Sequence, residues 1–396
     1  MNPQYKGVLA LIKSSVTGEV YTLPEKFSVD IAVSTAVKHG IESMVYHGGV
    51  NCGIPKTDPG MMQLFQRCYH LLVHSERQME QVHRILQVFQ ENQIHSLPLK
   101  GVILKELYPK PEMRRMGDAD ILIREEQYPQ IKKIMQKLGY SFDYETDHEI
   151  VWKNHSLTLE LHKKLVPERN QEFYQYFRNG WHLAEELPGQ PHIYNLSKEN
   201  TMLFLFTHLA KHYTGSGIGI QHMTDLWIYR LHHPQLDDDY IAEELKKLQL
   251  DEFYSNVMYT LDVWFENAQE NAVSELITEF VFSNGAYGTH ANRIVSIAAR
   301  KAKRSGKIGT GKIRNLLLAI FPGSKSLEIR YPVLRKYPGL LPFIWIHRWC
   351  DAIFVNREKI GKKLEDIQLS TEENVSNMQK TMRFVGLGFR FEEKSE

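Results

Sequence analysis

The residues with the most chemistry to offer lie close together in the chain. Leu97-Pro-Leu-Lys100-Gly101 ends one apolar run, and Arg114-Arg-Met-Gly-Asp118-Ala-Asp120-Ile-Leu-Ile opens another. In an extended strand, residues i and i+2 point to the same face. Asp118 and Asp120 therefore present two carboxylates together while Ala119 turns away. Such a pair suits hard divalent cations such as Mg²⁺, which take oxygen ligands and keep several waters for a phosphate-bearing substrate. An Asp-x-Asp at a strand start also serves simply to cap a turn. Gly101 lets the backbone approach a phosphate, and the N–H groups opening a following helix, Val102 to Leu107, favour anions. Lys100 adds a charge there, or is a solvated lysine at a strand end. Arg114 and Arg115 can grip a phosphate bidentately, orient an aspartate, or lie solvated in a surface loop.

Positioning these groups requires strands with short connections. Strand signals run over 94–99, 119–123 and 157–161, with a further strand at 149–153 pairing back across the Asn154-His155 turn. A helix is expected from about Glu125 to Leu138, closed by Gly139. Upstream, an amphipathic segment from about Met61 to Gln93 carries Leu71, Leu72, Met79, Val82, Ile85, Leu86 and Phe89 at helical spacing. Residues 1–75 read as mostly helical, with a breaker-rich loop at Gly48–Pro55, and the chain is almost wholly helical from about Leu196. In that region His208 and His212 share one helix face at i, i+4 and can bind zinc, although the Glu that metalloproteases place between them is absent. Buried structural histidines, hydrogen-bonded locally, have the same spacing.

Taken in order, the Lys-Gly at a strand end, the upstream Arg and the Asp-x-Asp resemble the polymerase-β-like nucleotidyltransferase superfamily. Within it, the similarity is to the bacterial nucleotidyltransferase family of unassigned substrate, over roughly residues 76–230. The resemblance implies a third carboxylate on a third strand. That residue is Glu160, in Ser156-Leu-Thr-Leu-Glu-Leu-His162, where Leu157, Leu159 and Leu161 alternate with Thr158, Glu160 and His162. Glu160 would complete the metal site or act as general base. The likeness favours Arg114 over Arg115, and it lays a helix bearing His208 and Lys211 over the nucleotide. Lys211 would contact phosphates and Asp225 would orient a partner or the acceptor. Many superfamily members follow the first Gly with Ser or Gly. Here Val102 follows Gly101, so a hydroxyl contact to the triphosphate is missing.

The implied activity is transfer of a nucleoside monophosphate from an NTP such as ATP to a hydroxyl on a small molecule, sugar or peptide, with release of pyrophosphate. Mg²⁺ (or Mn²⁺) would be the cofactor, two ions ~3.5–4 Å apart clamping the attacking and leaving oxygens. Two other readings stay open: a toxin-type enzyme acting on tRNA ends, and a degenerate fold that binds a nucleotide or partner without catalysis. The expected fold class is α+β, or mixed α/β, with a small mixed sheet of nucleotidyltransferase type flanked by helices. Its expected parts are an N-terminal helical region (1–75), the nucleotidyltransferase core (76–195) and a large helical C-terminal region (196–396).

Composition sets the outer limits. A chain of 396 residues with 42% hydrophobic and 24% charged residues is globular in type. The net charge of +1 gives no overall pull toward nucleic acid and argues mildly against an RNA substrate. Cys52, Cys68 and Cys350 have neither metal-ligand spacing nor the number for a disulfide framework, which reads as a reducing cytoplasm. The first residues lack the order of a signal peptide, and no run of about 18 apolar residues suits a membrane span. Gly306-Lys-Ile-Gly-Thr-Gly-Lys312 has P-loop spacing, but Ile313 replaces the Ser/Thr and no strand precedes it. The surrounding basic segment, 300–314, is a solvated loop or a polyanion contact. The apolar stretch Leu340–Arg348 is read as a core helix starting near Pro342 rather than a membrane-surface element. Oligomeric state is left open.

Overall fold

The computed structural model describes residues 1–305, 321–327, 331, 333–354 and 369–390. The P-loop-like Gly306–Lys312 and the basic segment beyond residue 305 lie outside the described residues. The chain forms two compact units: Met1–His212 with Ile218–Tyr287, and Tyr213–Gly217 with Gly288–Glu396.

In the first unit, helices α1 (Pro3–Thr17), α2 (Val29–His39) and α3 (Glu42–Asn51) lead into the long α4 (Pro59–Glu91). Asp58 starts α4 by accepting the N–H groups of Gly60 and Met61, with Pro59 in the first turn. There follow β1 (Ser96–Pro98), α5 (Gly101–Lys105), β2 (Ala119–Ile123), α6 (Tyr128–Lys137), β3 (Ser141–Glu145), β4 (Glu149–Lys153) and β5 (Thr158–His162). Among the described residues these five strands make one mixed sheet, ordered β1-β2-β5-β4-β3, in which only β2 and β5 run parallel. After α7 (Gln171–Phe177) come a small hairpin, β6 (Ala184–Glu186) with β7 (Tyr194–Leu196), and then α8 (Lys198–Tyr213). The unit continues with α9 (Ile220–His232), α10 (Asp238–Lys247), α11 (Asp251–Phe265) and α12 (Ala272–Ser283).

Strand alternation decides what each sheet face does. Ala119, Ile121 and Ile123 of β2, Ile150 and Trp152 of β4, and Leu159 and Leu161 of β5 share one buried core. Met79, Val82, Ile85 and Phe89 from α4, with Ile131, Ile134 and Met135 from α6, fill the same core. The opposite face therefore carries the intervening residues, Asp120, Glu149, Glu160 and His162. Residue 75, the boundary expected between the N-terminal helices and the core, falls inside α4, which runs unbroken from one to the other. The hairpin β4–β5 forms as expected: Asn154 Oδ1 accepts the N–H groups of Ser156 and Leu157 at 2.9 and 2.8 Å. The expected helix over 125–138 begins instead with a 3₁₀ turn, Glu125–Gln127, and β1 is shorter than the apolar run suggested.

In the second unit, α13 (His290–Ser305) packs with a helix at Glu372–Phe384, and Ser216 accepts the N–H of Thr289 at 2.7 Å. A small core of Leu327, Leu334 and Ile344 receives a helix spanning Leu341–Phe354. That helix is buried on one face only, since Phe343 and Ile346 are 69% and 54% exposed. Among the described residues no helix is long and apolar enough to cross a membrane.

His39, at the end of α2, ties the first helices to the rest of their unit. Its Nδ1 accepts the N–H of Ile220 at 3.3 Å, and Nε2 bonds Phe282 O at 3.3 Å. Burial pushes its pKa down to about 4. A lowered folded-state value means that the unfolded chain binds the proton first as pH falls. Stability is thus full above about pH 6.5 and drops between pH 6.5 and 4, by about 1.4 kcal/mol per pH unit from this residue. Urea unfolding across that range should show the loss, and His39→Gln should flatten it.

Candidate active site

The loop that leads to the aspartates is fixed from below by α4. Ser75 Oγ donates to Pro111 O at 3.2 Å, and Gln78 Nε2 donates to Met116 O at 3.1 Å. Buried Lys105 bonds both Ser75 Oγ (2.8 Å) and Arg114 O (2.6 Å). Asp118 then stands just before β2, and Asp120 is the second residue of the strand.

The parallel register places Asp120 opposite Glu160 and Leu122 opposite His162, while β4 sets Glu149 opposite His162. Four polar side chains are thereby gathered on one face. Asp120 Oδ1 takes two donors, Lys100 Nζ at 2.8 Å and His162 Nε2 at 2.5 Å. Among the described residues no hydrogen bond engages its other oxygen. Burial alone would raise the Asp120 pKa, but Lys100 and His162 outweigh it and hold the group far below the usual carboxylate range. Glu160 goes the other way: burial, then the charges of Asp118, Asp120 and Glu149, push it up to about 8. Burial and Asp120 also raise Asp118, which lies within hydrogen-bonding reach of Glu160. Both carboxyls are thus harder to ionise than free carboxylates. Ligand atoms of Asp120, Glu160 and His162 all lie within 4.8 Å of one another, a donor set that fits a divalent cation.

Lys100 reaches Asp120 from a strained backbone, φ +39°, which is uncommon for a residue with a side chain. Burial lowers its pKa, yet the Asp120, Asp118 and Glu160 carboxylates raise it on balance. Gly101 is needed for close approach, because a Cβ there would sit 3.0 Å from Met116 and 3.2 Å from the Arg114 guanidinium. The helix it opens is short, and Leu99 O already takes the N–H of Val102, leaving fewer free donors than the sequence suggested.

Arg114 and Asp225 meet each other rather than standing apart. The guanidinium donates to both carboxylate oxygens, at 2.7 and 2.9 Å, and Tyr108 OH donates to the same carboxylate at 2.7 Å. A weaker contact runs from Arg114 to Gly101 O at 3.4 Å. Arg115 turns away, its guanidinium 3.6 Å from buried Glu42.

From α8, His208 and His212 face each other, Nε2 to Nε2, at 3.1 Å. Burial first, then neighbouring cations, keep both neutral, His212 at about 3 and His208 well below its ordinary value. Lys211 is lowered to about 8 by burial and by Lys100 and Arg169, against the pull of Glu149 and Asp120. These mutual effects bring Lys211 and Lys100 into the surroundings of one carboxylate cluster.

His162 was legible only as an alternating residue of β5. The argument that pairs Asp118 with Asp120 also puts it beside Glu160, two positions along the same strand. His148 had no such signal, because a turn rather than a strand positions it.

A family model described as "Uncharacterised nucleotidyltransferase" matches residues 25–266, a span that takes in every candidate from Lys100 to Asp225. Among solved structures, the antibiotic-resistance factor ANT(2″)-Ia is similar at 14% identity with a TM-score of 0.32, over 49% of this chain and 100% of that one. A likeness that loose bears on neither the fold nor the chemistry here. No curated protein matches the sequence.

Removing one member of a buried, hydrogen-bonded ion pair leaves the other charge uncompensated. Asp225→Ala should therefore lower stability by about 3–5 kcal/mol in denaturant unfolding. The isosteric Asp225→Asn, which keeps acceptor and shape, should lose less.

Proposed function

The chain belongs to the family described as uncharacterised nucleotidyltransferases, and from that premise we propose that it moves a nucleoside monophosphate from an NTP to a hydroxyl on a small molecule, sugar or peptide, releasing pyrophosphate. The observation that carries this reading is the β2–β5 register, which sets Asp120 beside Glu160 with Asp118 at the strand's entry.

Asp118, Asp120 and Glu160 would hold Mg²⁺ or Mn²⁺. The unengaged second oxygen of Asp120 and the raised pKa values of Asp118 and Glu160 both support this, since clustered carboxylates short of positive charge are what a cation satisfies. When bound, such ions neutralise triphosphate charge and lower the pKa of a hydroxyl. The protein's own groups would do the rest. Lys100 and Lys211 supply ammonium charge for the phosphate oxygens. His162 fixes the orientation of Asp120 by holding Oδ1, so that Oδ2 stays presented. Glu160, once relieved of its proton, accepts the one lost by the acceptor hydroxyl as its oxygen bonds to the α-phosphorus and the bond to pyrophosphate breaks. The Arg114–Asp225 pair serves as a positioning contact that joins α9 to the loop before Asp118.

Asp118→Asn and Asp120→Asn should each reduce transfer by at least ~10³-fold while leaving far-UV circular dichroism unchanged. Calorimetry with each NTP and Mg²⁺ should show binding in the wild type that the double variant loses. Turnover retained in either single variant would remove the two aspartates from the reaction.

A further inference from the structure

A second group of metal-ligating side chains lies on the far side of His162. His148 Nε2 is 3.1 Å from His162 Nδ1 and 4.0 Å from Glu149 Oε2, and the three ligand atoms all lie within 4.8 Å of one another. Two imidazoles and one carboxylate on a four-coordinate zinc ion, with bonds of ~2.0–2.1 Å, stand ~3.3 Å apart. The His–His distance is close to that, and the Glu149 carboxylate would have to close in on the two rings.

Proton bookkeeping around the two rings points the same way. Asp120, as a carboxylate, only accepts, so His162 Nε2 carries the proton of that bond. In the tautomer that donates from Nε2, the His162 Nδ1 presents its lone pair to His148, 3.1 Å away. A ligating histidine whose other nitrogen donates to a carboxylate is the usual outer arrangement of a zinc site, because it fixes tautomer and ring orientation. His148 Nδ1 is buried with no hydrogen-bond partner. Moving its proton from Nε2 to Nδ1 therefore breaks no bond except the one to His162, which a cation between the rings would replace.

The backbone holds this group together. Glu149 and His162 are register partners across β4 and β5, and the N–H of Lys163 donates to His148 O at 2.8 Å. Tyr144 OH donates to Glu149 Oε1 at 3.4 Å, leaving Oε2 on the histidine side. His148 and His162 are 7% and 2% exposed, as expected of ligands rather than solvated side chains. Burial first, then His162, Lys211, Lys100 and Arg169, all lower the His148 pKa and favour its uncharged ring.

We propose that His148, Glu149 and His162 form a zinc-type site with one open coordination position, distinct from the carboxylates assigned to nucleotidyl transfer and joined to them through the two nitrogens of His162. A bound ion would lock His162 with its Nε2 proton on Asp120.

The test is Zn²⁺ titration of the chelator-stripped full-length protein by calorimetry, with Co²⁺ as a spectroscopic probe. The wild type should bind Zn²⁺ and give the visible bands of low-coordinate Co²⁺ with nitrogen ligands. His148→Gln and Glu149→Gln should each weaken binding by at least ~10²-fold, while Asp118→Asn, which touches neither imidazole, should leave it unchanged. Glu149 is partly exposed, so its variant keeps the fold and guards against a misfolded His148→Gln. Absence of zinc binding in the wild type, or binding that survives both variants but disappears in Asp118→Asn, would overturn the proposal. Either result leaves the nucleotidyl-transfer reading standing, because NTP binding with Mg²⁺ is measured separately.

Discussion

A residue on one parallel strand stands directly beside its register partner on the next, and at Asp120 that partner is another carboxylate, Glu160. Two such groups, Asp120 buried and Glu160 partly so, repel each other strongly. Much of the surrounding structure offsets that repulsion. Lys100 and His162 both donate to Asp120 through a single oxygen, and burial beside Asp118 and Asp120 pushes the Glu160 pKa up. Lys100 reaches its place through a backbone conformation that residues with side chains rarely adopt, which fits a position held by function rather than by local preference.

The same sheet is ordinary on its other face, where aliphatic residues from three strands close over α4 and α6. That asymmetry ties the charged face to a rigid support. The loop before Asp118 has no regular structure of its own beyond one 3₁₀ turn, Pro111–Met113, so its course is set by side chains of α4, by Lys105 and by the Arg114–Asp225 pair. A buried bidentate pair contributes little net stability compared with an apolar contact. Its directional bonds make it better suited to fixing where a chain segment lies.

How far the sequence reveals this depends on whether a feature has a local period. Strands β2, β4 and β5 were readable because their leucines, isoleucines and valines alternate or run together, and the face carrying Asp120 and Glu160 follows from the same alternation. Strand β3 was not, since all five of its residues are exposed and Phe142 and Tyr144 sit on a bulged edge. The hairpin β6–β7 is too short for any pattern to register. Arg114 and Asp225 were each legible as charged groups near a site, but their pairing spans 111 residues and belongs to tertiary structure alone. The His148–His162 contact was hidden for a similar reason: the turn before β4 brings His148 to the end of β5, and neither residue's neighbours in sequence announce it.

The continuity of α4 has a consequence for how the protein comes apart. With 33 residues the helix is about 50 Å long. Its first half is seated against α3 and its second half under the sheet. Neither seat can be lost while the other keeps the helix fully wound without exposing apolar surface along half its length. The N-terminal helices and the sheet therefore unfold as one cooperative block. The middle of α4, near Ser75 and Gln78, where the helix also holds the loop that leads to Asp118, is where amide exchange in this unit is expected to be slowest.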